Sequence, residues 1–400
     1  MKRINYLLLL FLPFLLFIVG IYVKSTIPEY SINGIDPEYA YLFNGLNLAT
    51  FNFPWHIDHP GTLLQIISAI AIRVTHIFHN PSIPLIEDVF SNPDFYLNCI
   101  SGTLILIDML ALFILGWISF KASKNIFIAL FLQFVPFIST SIIDVMRRVL
   151  VEHLIIAVSM LLIAALINYM YRKPEKAKPY SKQIIWIGIL TALGISCKIT
   201  FATVFFIPFF IIEGFKRKMA YASIVAISVP IFIFPIFSRW VYFRDWITKL
   251  FIHSGQYGKG EANIVDVSSF VHNLKAISTK DILYPIVFLL FIVVTVICIT
   301  PFIKTKVKNN IFLRGLIGII LSMTFLTTLV AKQYKYFYLV PVLIFIIPGI
   351  FERLYGSFEI DNSLTKKTLS YSPRLSTEEG INKMVKAFLT EKNYDIYKNQ

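Results

Sequence analysis

The chain has 400 residues, of which 56% are hydrophobic and 37 are phenylalanine, and its mean hydropathy is +0.70. Soluble domains run about 45–50% apolar, so composition excludes one and points to a polytopic membrane protein. The formal charge of +14 does not argue for nucleic acid, because the basic residues sit in short segments between apolar runs. That is the positive-inside pattern.

Tyr6 to Val23 is about the length of one bilayer crossing, and Lys2 and Arg3 before it keep the N-terminus cytoplasmic. The segment 24–97 is therefore an outer loop. It carries Asp36-Pro37-Glu38-Tyr39 and Asp58-His59-Pro60-Gly61, a crowding of ionisable groups for which an apolar chain has no packing reason. Within it, Leu63 to Phe78 is interrupted by Gln65, Arg73 and His76; it reads as an interfacial helix, with a span as the alternative.

Asn98 to Phe120 returns inward, Ile126 to Ile143 goes out, and Val149 to Tyr171 comes back to a basic loop holding Arg172, Lys173, Lys176, Lys178 and Lys182. Ile184 to Ile212 is too long for one ordinary crossing. One tilted helix would leave Lys198 near mid-bilayer at a cost of about 3 kcal/mol, so two short helices meeting at Lys198 are expected. Met219 to Phe237 leads to a second outer loop, 238–281, with Trp240, Tyr242, Arg244, Asp245, Trp246 and Lys249. Ile282 to Ile303 returns inside, and Phe312 to Val330 with Tyr336 to Phe351 closes a last hairpin. The expected fold is thus all-α, with ten or eleven spans over 1–352 and a polar cytoplasmic tail over 353–400. Cys99, Cys197 and Cys298 have no redox or metal spacing and read as small core residues.

An acidic pair followed by tyrosine, and about twenty residues later His59-Pro60-Gly61-Thr62-Leu63, resembles the GT-C glycosyltransferases that take sugars from polyprenyl phosphates. Protein O-mannosyltransferases and lipid A aminoarabinose transferases are the nearest comparison. In that pattern the acids are adjacent and the histidine precedes two prolines; here Pro37 divides the acids and Gly61 replaces the second proline. Arg148 with Glu152, the glycine-spaced run ending in Cys197-Lys198-Ile199-Thr200, and the tyrosine-rich stretch from Lys332 to Pro341 extend the resemblance.

The resemblance implies inverting transfer to an envelope lipid, glycan or protein, at the outer face of a bacterial-type plasma membrane. Asp36 or Glu38 would be the base, since a carboxylate in hydrogen-bond reach can take the proton of an attacking hydroxyl. Asp58, His59, Arg148, Glu152, Lys198, Lys332 and Tyr336 would bind substrate, the cations holding the departing lipid phosphate. The bland readings are a loop aspartate before proline, a first-turn helix acid for Glu38, a turn that orients the next helix for Asp58 and His59, an i,i+4 ion pair for Arg148 and Glu152, and interface anchoring for Lys332 and for Trp240 and Trp246. No cofactor is expected, and His56, Asp58 and His59 lack a convincing metal-ligand spacing. A polysaccharide polymerase, and from another class a transporter or flippase, remain the alternatives. A transporter places its ionisable groups near the midplane, and here only the break at Lys198 suggests that.

Overall fold

The computed structural model describes residues 2–26, 30, 37–57, 59–137, 139–171, 179–252, 267–280, 285, 289, 293, 311–333, 344 and 345. Among these residues all regular structure is helical. The first half comprises α1 (Lys2–Ser25), α2 (Glu38–Ala49), α3 (Thr62–His79), α4 (Leu85–Ser91), α5 (Pro93–Ser123), α6 (Ile126–Gln133), α7 (Thr140–Val145) and α8 (Glu152–Tyr171). There follow α9 (Lys182–Cys197), α10 (Phe206–Ile211), α11 (Phe215–Phe232), α12 (Trp240–Ile252), α13 (Val267–Lys280) and α14 (Ile311–Gln333).

Among the described residues four segments are long and apolar enough to cross a bilayer: Tyr6–Ser25, Thr62–His79, Pro93–Ser123 and Glu152–Tyr171. A fifth is counted if Phe215–Phe232 and Phe234–Lys249, bent by 65°, form one span. The protein is an all-α multi-pass membrane protein. The spans expected at Ile282–Ile303 and Tyr336–Phe351 lie outside the described residues apart from isolated positions, as does the tail.

The frame is α1 and α8 packed on α5. α1 runs antiparallel to α5, with Tyr6 edge-on to Phe120 at 5.9 Å and Lys24 donating to Asn98. Gln133 of α6 stitches this frame, donating from Nε2 to the carbonyls of Leu9 (2.9 Å) and Leu112 (3.1 Å). Its amide occupies the space over Gly116, where an added Cβ would meet Gln133 Nε2 at 2.2 Å. The ends of α1 and α5 that carry Lys2, Arg3, Lys121 and Lys124 consequently coincide.

Three sequence expectations change. Ile126 to Ile143 is not one crossing but α6, a 3-10 turn at Val135–Phe137, and α7. Pro136 removes a backbone donor at the turn, and Ser139 restarts the helix by accepting from the Ser141 amide at 3.2 Å. The outer loop 238–281 contains α12 and α13. Leu63 to Phe78 forms α3, which meets the length and apolarity of a span. The expected break at Lys198 is present: α9 stops at Cys197, Lys198 is extended at φ −154° and ψ 130°, and a 3-10 helix, Ile199–Phe205, leads into α10.

Candidate active site

Glu38 opens α2 directly after Pro37 and is only 2% exposed. Its carboxylate meets Arg148 in a two-pronged contact, Nε to Oε1 at 2.5 Å and Nη2 to Oε2 at 2.8 Å. The fork geometry of guanidinium suits this pairing, which is stronger than a neutral hydrogen bond. Arg148 sits in the turn between α7 and α8, so it shares no helical face with Glu152, and the i,i+4 pair does not form. Its side chain is 42% exposed against 3% for Glu38, so the cation is the open member.

Glu152, at the first position of α8, pairs instead with Lys198. Both side chains are buried, at 3% and 2% exposure. The break after α9 lets the lysine reach this partner. Phe201 folds back over Gly194, where a Cβ would lie 2.3 Å from the ring. Lys198 therefore neutralises an acid inside the bundle.

Sequence reasoning did not single out Asp108 and His153, both fully buried. His153 Nδ1 lies 2.6 Å from Asp108 Oδ2, and its Nε2 lies 3.1 Å from the Arg148 carbonyl. The overlooked signal was that Asp108 is the lone charged residue between Asn98 and Phe120, and an ionisable group inside a span marks function by default. Tyr30 belongs to the same surroundings. Burial, opposed by Ser101 and reinforced by the Glu38 and Asp94 carboxylates, pushes its phenol up to about 12.

The His59 loop is held from several sides. Asn44 accepts from the amides of Trp55 (2.6 Å) and His56 (3.0 Å), Gln65 donates to the His56 carbonyl (2.8 Å), and the Gly61 amide donates to Cys197 (3.2 Å). His59 adopts φ 73°, a left-handed conformation costly for a residue with a Cβ, and sits edge-on to Trp246 at 5.5 Å. The loop thus docks on α12 and on the end of α9, close to Lys198. Asp36, Asp58, Lys335 and Tyr336 lie outside the described residues, and of Lys332 only the helical backbone in the last turn of α14 is described.

A cavity of about 450 Å³ opens beside Arg147, lined by Phe137, Ser139, Thr140, Ser141, Ile143, Asp144 and Arg147. Arg147 Nε contacts Asp144 at 3.0 Å, with both side chains about half exposed. The cavity occupies the interruption between α6 and α7. Among the described residues no three His, Cys, Asp or Glu side chains are placed to hold a metal ion.

A second ionic cluster lies nearer the start of α5. Asp88 of α4, with no exposed surface, accepts from Tyr96 and Asn92 (3.1 Å) and faces Nδ1 of His76 (3.0 Å) and of His79 (3.3 Å). Burial alone would raise its pKa, but these hydrogen bonds and the charge of His79 hold the carboxyl down at about 2.

No protein-family model, no curated protein and no solved structure matches this chain.

Proposed function

We propose that the protein is a GT-C-like glycosyltransferase that moves a sugar from a polyprenyl phosphate to an envelope lipid, glycan or protein. The observation that carries this reading is the Glu38–Arg148 contact, which joins the first-loop acid motif to an arginine 110 residues later. Glu38 is buried with both oxygens engaged, so the proton acceptor is Asp36, two residues earlier, and Glu38 serves to aim the guanidinium. The acceptor hydroxyl, losing its proton to Asp36, attacks the anomeric carbon. The sugar–phosphate C–O bond breaks with inversion and the phosphate leaves with the electron pair. Arg148, half exposed, meets that charge. The cavity at the preceding residue, Arg147, with three hydroxyl residues, an Asp144–Arg147 pair and the Phe137 ring, has the chemistry and volume for a sugar ring.

The basic ends of α1 and α5 lie opposite this cluster, and by the positive-inside rule they favour an outward-facing site. Cysteines at Ser31 and Ser181 test that orientation: an impermeant thiol reagent should label the first in intact cells and not the second. The activity test is purified protein in lipid nanodiscs with a panel of radiolabelled polyprenyl-phosphate sugars and envelope lipids. Label should leave the lipid phosphate for an acceptor; retention of label on every donor overturns the reading.

One observation favours a second reading. The pairs Asp108–His153 and Glu152–Lys198 are buried in the bundle beside interrupted helices, an arrangement suited to an ion-coupled transporter. Proton-driven solute flux in proteoliposomes, lost in Asp108→Asn, distinguishes it.

A further inference from the structure

We infer that His153 is a positioning residue for Arg148 and that it holds one buried proton jointly with Asp108. The positioning half rests on the reading of Arg148 as the contact for the donor phosphate; the proton does not.

The Arg148 carbonyl can only accept, so His153 Nε2, 3.1 Å away, carries hydrogen. Nδ1 faces a carboxyl oxygen at 2.6 Å. An ionised Asp108 also only accepts, which requires hydrogen on Nδ1 and makes the ring an imidazolium. A neutral ring leaves Nδ1 bare, and Asp108 must then be protonated and donate. Both arrangements contain one proton more than a carboxylate beside a neutral imidazole, and both have no net charge. With that proton absent, one of the two contacts becomes lone pair against lone pair.

The surroundings favour retention of the proton. Asp108 Oδ1 is buried with no hydrogen-bond partner among the described residues, so a net negative pair would be poorly compensated. Among the described residues the nearby cations already have carboxylate or amide partners. Lys198 is taken by Glu152, Arg148 by Glu38 and Arg147 by Asp144. Lys24 of α1, which packs on α5, donates to Asn98. The consequence reaches Arg148 through its backbone. Its turn joins α7 to α8, its amide donates to Val145 at 3.1 Å, and the imidazole holds its carbonyl, fixing the residue whose guanidinium meets Glu38.

Asparagine at position 108 separates charge from geometry. Its amide NH₂ can donate to Nδ1 while Nε2–H still grips Arg148, with no extra proton. The test uses purified protein in nanodiscs at neutral pH. Nitrogen NMR of labelled histidine should show an imidazolium, or infrared spectroscopy a protonated carboxyl, in either case removed by Asp108→Asn. Finding only neutral imidazole and ionised carboxylate overturns the proton. Undecaprenyl phosphate should bind His153→Phe roughly 10-fold more weakly, the scale of a displaced positioning group, and Asp108→Asn as wild type. Unchanged binding by His153→Phe, or equal weakening by both, overturns the positioning. If the wild type does not bind undecaprenyl phosphate, the glycosyltransferase reading fails and the positioning with it, while the spectra still decide the proton. Should His153→Phe not fold, His153→Asn, whose shorter amide stands where Nδ1 does and keeps a partner for Asp108 but not the grip on the Arg148 carbonyl, replaces it with the same expected weakening.

Discussion

Two ionic clusters lie along α5, one around Asp88 at its start and one around Asp108 further down, and they differ in what they leave open. Asp88 has no exposed surface and collects partners from α3, from Asn92 between α4 and α5, and from α5, so every charge it presents is consumed. The second cluster also pairs each buried acid: Glu38 with Arg148, Asp108 with His153, Glu152 with Lys198. Yet Arg148 is 42% exposed, and a cavity opens at the residue before it, Arg147. A closed cluster fastens helices together. One whose cation is half exposed can exchange its partner for an arriving anion, which is why the proposed function places the donor phosphate at Arg148.

The largest effect that breaks this comparison falls on Lys198. Removing it in Lys198→Ala leaves Glu152 buried and unpaired, which should cost about 3–5 kcal/mol, read as a large drop in Tm in nanodiscs. Replacing both partners, Glu152→Leu with Lys198→Met, should recover most of the loss. A Lys198→Ala protein as stable as wild type would mean the pair does not hold the α9 break.

Next in size is Asp36→Asn, for which turnover should fall by roughly 100-fold while undecaprenyl phosphate binding holds, since general-base loss is of that order. Glu38→Gln sharpens the contrast. Arg148 loses its carboxylate, so phosphate affinity should change as well as rate. If Glu38→Gln abolishes turnover with affinity untouched and Asp36→Asn is active, the roles are reversed and Glu38 is the base.

Much of the frame was legible because apolar length and basic punctuation act locally: α1, α5 and α8 follow from Lys2 and Arg3, Lys121 and Lys124, and the loop from Arg172. The break at Lys198 was legible for the same reason, a charge with no place at mid-bilayer. The partners were not. Lys198 looked like a phosphate contact and Arg148 looked like a helix neighbour of Glu152, because spacing reports one helix at a time, whereas the contacts formed bridge 46 and 110 residues. The interruption between α6 and α7 was hidden in an apolar run whose only warnings were Pro136 and Ser139.

A third, smaller effect tests the closed cluster through acid. The folded Asp88 pKa, about 2, lies below the ordinary aspartate value of about 3.9. A depressed carboxyl contributes stability that is fully present above its unfolded value and lost as pH falls through the folded one. Stability should therefore decline between about pH 4 and pH 2, and Asp88→Asn should flatten that stretch of the curve while lowering stability at neutral pH. Denaturation midpoints over that range measure it. An unchanged acid profile in Asp88→Asn would show that the carboxylate is not what fastens α4 to α3 and α5.

The smallest effect on stability, and the finest cut between the two clusters, is at Arg147. Its pair with Asp144 is about half exposed on both sides, where ion pairs contribute about 0–1 kcal/mol. Arg147→Gln should therefore leave Tm nearly unchanged. The residue lines the cavity, however, and glutamine keeps hydrogen-bonding ability without charge. If that cavity receives the sugar, the variant should change which polyprenyl-phosphate sugar is preferred while binding of undecaprenyl phosphate, held at Arg148, stays as it was. The opposite result, weaker binding of the bare lipid phosphate with sugar preference intact, would move Arg147 from the sugar to the phosphate and make the two successive arginines one anion site.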